Sequence, residues 1–168
     1  MFEGVLDFTM EPIQLYALSF LLGSFSVATL SDIKRMSAQS EFVSVWAIIA
    51  IGLFVIDVYL VGTDNLAMDI FGLKWTLIVV FSLLSHERVG VYFHLATGDV
   101  VAMMSAAAIM GPVGVIIFYI AVKFVDWVTR PIWRSFGTET AYPFMPPIFL
   151  TTALVLVTAW ILSEQVYI

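Results

Sequence analysis

Two aspartates, Asp32 in Ser31-Asp32-Ile33-Lys34-Arg35 and Asp99 in Thr97-Gly98-Asp99, fall where hydrophobic segments meet the same face of a membrane. An ionisable group at membrane depth marks a functional site by default. One carboxylate there could hold a proton or a cation. Two that approach each other can share one proton and activate a water between them, which is the chemistry of aspartyl proteases.

Holding two carboxylates in lipid requires helices, and the composition supplies them. Of 168 residues, 61% are hydrophobic and 12% charged, far from the mix of a soluble domain. A span of about 30 Å takes roughly 20 apolar helical residues, so the length allows about six spans joined by short loops, as one all-α transmembrane domain over residues 1–168. Apolar runs and their breakers predict helices at 13–30, 42–61, 70–84, 98–110, 113–128 and 147–162, the fourth and fifth separated by Gly111-Pro112-Val113-Gly114. Residues 1–12 carry Glu3, Asp7 and Glu11 but no Lys or Arg, so no cleaved signal peptide is expected and the first apolar segment should remain as a helix.

Seven basic residues orient the bundle, because Lys and Arg in short loops stay cytoplasmic. Lys34 and Arg35 follow the first helix, Arg88 the third, and Arg130 and Arg134 the fifth, whereas the other loops hold Asp64 and Asp69. Both termini are therefore expected outside a cell membrane. Asp32 and Asp99 should then lie level at the cytoplasmic side. Lys123 fits near the cytoplasmic end of the fifth helix, and Lys74 is the one exception, expected to snorkel to a nearby helix end.

Each of these residues also has an ordinary reading. Asp32 could be interfacial punctuation beside Lys34 and Arg35, and Asp99 an N-terminal helix residue that complements the macrodipole. Asp57 and Asp126 read as interfacial acids near opposite faces. Small residues Ser24 and Ala28 lead to Asp32, and Ala102 and Ala106 continue the Asp99 face, as close helix approach in lipid requires. His94 could tune Asp99, but no ligand constellation surrounds it, so neither metal nor other cofactor is expected. With no cysteine there is no thiolate nucleophile, and a net charge of −6 offers no basic patch for nucleic acid.

Three stretches, Asp32-Ile33-Lys34, Ala96-Thr97-Gly98-Asp99 and Pro143-Phe144-Met145-Pro146, give the chain a resemblance to the type IV prepilin peptidases and especially the compact archaeal preflagellin peptidases. These belong to the GxGD class of intramembrane aspartyl proteases. The family has an Asp-x-Lys after its first core helix, a Gly-x-Gly-Asp opening the fourth, and a Pro-Phe-x-Pro before the last. The order, the spacing and the six-helix frame agree over nearly the whole chain. The resemblance implies catalytic roles for Asp32 and Asp99 and supporting or substrate-binding roles for Lys34, Gly98, Pro143 and Phe144. The chain departs from the pattern at Ala96, in place of the first glycine, at Val101, in place of a frequent Lys, and at Ser37-Ala38-Gln39, in place of a Pro-containing turn. The cysteine-rich zinc segment of longer bacterial relatives has no counterpart.

The expected reaction is hydrolysis of one peptide bond, with water held between Asp32 and Asp99 and the pair titrating as a unit. The resemblance implies a pilin-like or archaellin-like precursor whose short basic leader stays cytoplasmic while its apolar helix enters the bilayer. Glu41, Glu87 and Glu139 could attract that leader. Two other classes compete: a small proton- or cation-coupled carrier using Asp32, Asp99 and Asp57, and a catalytically silent scaffold subunit. A carrier commonly shows related halves around a midplane site, and no internal repeat is evident.

Overall fold

The computed structural model describes residues 10–35, 40–137 and 142–166. Glu3, Asp7, Ser37-Ala38-Gln39 and Glu139 lie outside the described residues. Among the described residues there are six helices, α1 (Pro12–Arg35), α2 (Ser40–Gly62), α3 (Met68–Ser85), α4 (Thr97–Ala107), α5 (Pro112–Arg134) and α6 (Met145–Val166). All but α4 are long and apolar enough to cross a membrane. The protein is therefore an all-α membrane protein.

Local chemistry sets the helix limits. Pro112 opens α5 directly after the extended Gly111, where a missing N–H costs nothing. The turn from α2 to α3 bends at Asp64, whose φ of 57° is a left-handed conformation that Asp tolerates better than most residues. α3 is bounded by extended Ala67 and His86. α4 has 11 residues and so rises about 16 Å, half of a bilayer core.

Three helices run further than their hydropathy predicts, α6 among them, which ends at Val166. α1 continues past residue 30 to Arg35, which puts Asp32 inside its last turns rather than beyond its end; Lys34 and Arg35 suit the negative pole of that helix. α5 continues past residue 128 through Pro131 to Arg134, so the polar segment after it begins as helix. Side-chain bonds brace this extension across the proline: Arg130 pairs with Asp126, and the Trp133 indole donates to Thr129 Oγ1 at 2.8 Å.

Short α4 is the hub, touching each of the other five helices, while α1 packs mainly on α6, α2 on α4, and α5 on α6. Ala28, Ala102 and Ala106 are fully buried, so the small-residue faces let backbones approach. Between helices in lipid, packing and polar bonds supply the cohesion. The Trp46 indole on α2 donates to Ser24 Oγ on α1 at 2.9 Å, Ser82 on α3 and Tyr119 on α5 share a bond of 3.0 Å, and Gln14 Nε2 on α1 donates to the Ile109 carbonyl at 2.8 Å. Each such bond is worth roughly 0.6 kcal/mol in a membrane bundle. The outer surface carries large apolar side chains such as Ile48, Phe124 and Trp160, as a lipid-facing shell should.

Two acids and one lysine sit elsewhere than expected. Lys74 does not snorkel: it is buried and its Nζ lies 2.7 Å from Asp57 Oδ2, which also accepts from the Trp75 indole at 2.9 Å. Asp57 is accordingly buried between α2 and α3. Asp126 is fully buried, accepting from Tyr142 Oη at 2.8 Å and from Arg130. Neutralisation by a partner is what makes such depths tolerable for a carboxylate.

Candidate active site

Asp32 comes from the penultimate turn of α1 and Asp99 from the first turn of α4, and both line one cavity of about 630 Å³. Asp32 is buried and Asp99 half-buried. Phe144 lines the same cavity, Pro143 is buried beside it, and Gly98 precedes Asp99 in α4. Lys34 is exposed on α1 and is not on the cavity wall.

The start of α6 reaches Asp32 directly. The backbone N–H of Met145 donates to Asp32 Oδ2 at 3.0 Å, and the Phe144 amide adds a second interaction. The first N–H groups of a helix have no partner within it, and Pro146 and Pro147 have none to offer, so Met145 is the first α6 residue that presents a free donor. The Pro-Phe-Met-Pro segment thus delivers main-chain donors to a carboxylate on another helix. A negative oxygen at that place suits both the charge-assisted bond and the positive end of α6.

Most of the remaining wall is the loop between α3 and α4. The loop is closed on itself by bonds from Glu87 N to Leu95 O at 2.9 Å and from Leu95 N to Ser85 O at 3.0 Å. It turns at Gly90, whose φ of +59° favours glycine, and a Cβ there would come within 2.5 Å of His94 Nδ1. His94 therefore packs over the turn of its own loop. Glu87 stands exposed on the wall, whereas Glu41 is exposed on α2 away from it. Ala96 occupies the expected glycine position with φ −64° and ψ 155°, ordinary extended backbone in which alanine is unstrained.

One face of α5 ties both wall segments down. Tyr119, Lys123, Asp126 and Arg130 follow helical spacing, so they share a stripe. Tyr92 Oη donates to the Tyr119 carbonyl at 3.1 Å, and Lys123 Nζ donates to the Tyr92 carbonyl. Asp126 holds Tyr142, with the Arg130 guanidinium 5.8 Å from the Tyr142 ring. Burial and the bond to Asp126 push the Tyr142 phenol up to about 12. The spacing of four, three and four was the signal that could have revealed this stripe.

Among the described residues no group of three or more His, Asp or Glu could hold a metal ion. What the arrangement offers is a pair of carboxylates on separate helices, a main-chain donor at one of them, and aromatic walls. No protein-family model matches the chain, nor does any curated protein or solved structure.

Proposed function

We propose that the protein is a membrane aspartyl endopeptidase, similar in action to the prepilin and preflagellin peptidases that its three motifs resemble. The observation that carries this reading is that Asp32 and Asp99, far apart in sequence, face one cavity. Two interacting carboxylates can share a proton and hold a water; Asp32, held by the Met145 amide, then serves as the base that takes a proton from the water, and Asp99 as the acid that protonates the departing amine. The substrate is a pilin-like or archaellin-like precursor. Its basic leader approaches from the cytoplasmic side, with Glu87 on the cavity wall and both termini of the enzyme outside.

The carrier reading loses support from the ion pair: Asp57 is engaged by Lys74 between α2 and α3 and does not line the cavity. The test is incubation of the purified chain in detergent with a panel of type IV pilin-like precursors, with new N-termini mapped by mass spectrometry. One cut between polar leader and apolar helix is the expected result. A panel left intact would remove the protease reading in favour of a scaffold.

A further inference from the structure

We propose that Lys123 is a positioning residue for the carboxylate pair, acting through the α3–α4 loop that it clamps; the kinetic part of this inference rests on the proteolytic reading. A lysine inside an apolar helix is costly and calls for compensation. The neighbouring carboxylate of Asp126 is already taken by Arg130 and Tyr142. Lys123 instead spends its ammonium on a main-chain oxygen, the Tyr92 carbonyl, and lies 4.3 Å from the centre of the Phe93 ring and 5.1 Å from that of Tyr92. A carbonyl bond of this kind fixes backbone rather than neutralising charge.

The backbone that it fixes leads to both acids. In one direction the chain runs from Phe93 through buried Leu95 into α4 and Asp99. In the other, the Phe93 ring meets Phe144 edge-on with centroids 5.2 Å apart, and the next residue, Met145, supplies the N–H bound to Asp32. Lys123 thus sits at the middle of a path of contacts whose ends are the two carboxylates. Loosening it should let the loop lift and the pair lose its mutual placement, while the helices, which pack without it, stay folded.

The absence of cysteine permits a test that does not depend on activity. In the full chain in detergent, Leu95→Cys places a thiol at a buried position of the loop itself, which maleimide reaches faster when the loop lifts. Loss of a charged hydrogen bond and a cation–π contact predicts labelling about tenfold faster in Lys123→Met, and a rate near the parent's in Lys123→Arg, which keeps a donor and a cation. With the cysteine-free chain and a cleaved precursor, Lys123→Met should lower kcat about tenfold with KM within about twofold, and Lys123→Arg should recover most of it. Should Lys123→Met fail to accumulate, Phe93→Leu, which removes the ring's contacts with Lys123 and Phe144 but leaves the Tyr92 carbonyl bond, should give a smaller increase in labelling. Labelling unchanged in Lys123→Met, or in Phe93→Leu where that variant stands in, overturns the clamp. A loop that opens as expected in a protein that cleaves no precursor leaves the clamp standing and rejects the proteolytic reading.

Discussion

The Met145 N–H and Asp32 Oδ2, 113 positions apart, are joined by a hydrogen bond of 3.0 Å. The bond makes α1 and α6, which also pack along each other, a single frame in which one helix end serves the side chain of another. It explains why prolines crowd the start of α6. Each removes a competing donor and stiffens the approach, so the free amides there converge on Asp32.

Asp32→Asn and Asp99→Asn should each abolish precursor cleavage, by at least about a thousandfold, while shifting the melting temperature little, because each removes half of a proton-sharing pair without changing side-chain size. Cleavage by either variant at close to the parent rate would end the protease reading.

Asp57→Asn or Lys74→Met alone should cost about 3–5 kcal/mol of stability, since each strands a buried charge. The double change Asp57→Leu with Lys74→Met should recover most of that loss and keep cleavage activity. Unfolding in a graded detergent denaturation series gives the comparison, and equal stability of single and double variants would show that the pair is not coupled.

Alkaline titration should expose the Tyr142 bond. Its pKa is raised from 10.0 to about 12 on folding, so the stability it contributes is complete below pH 10 and is lost as pH rises from 10 towards 12. Melting curves across that window should fall more steeply for the parent than for Tyr142→Phe. Parallel curves would mean that the phenol is not held by Asp126 in solution.

Sidedness can be read with single cysteines in sealed vesicles. Ser135 follows α5 and Asn65 lies in the turn between α2 and α3, both exposed. Ser135→Cys should react with an impermeant maleimide only from the cytoplasmic side and Asn65→Cys only from outside. The reverse pattern would place the cavity away from any leader that remains in the cytoplasm.

Helix number and order were legible because long apolar runs are written along the chain, and Asp32 and Asp99 were legible because they interrupt those runs at matching ends. Hydropathy reports depth but not which way a side chain faces around its helix. Asp57 and Lys74 therefore read as two separate anomalies, although each is the other's remedy. Asp126 read as interfacial because its partners, Tyr142 in the next connection and Arg130 beyond the apparent end of α5, belonged to a segment that looked like loop. The expected snorkelling of Lys74 failed for a similar reason: an acid on the adjacent helix lies within hydrogen-bonding reach of its ammonium.

The Asp57–Lys74 contact also bears on how the chain enters its bilayer. Either helix inserted alone would carry one uncompensated charge into hydrocarbon, at roughly 2.5–3.5 kcal/mol by insertion scales. Inserted together as a hairpin, α2 and α3 would pair those two charges with each other, and the short turn between them carries Asp64, with Asp69 following in the first turn of α3. The pair thereby favours entry of α2 and α3 as one unit over entry of either helix alone.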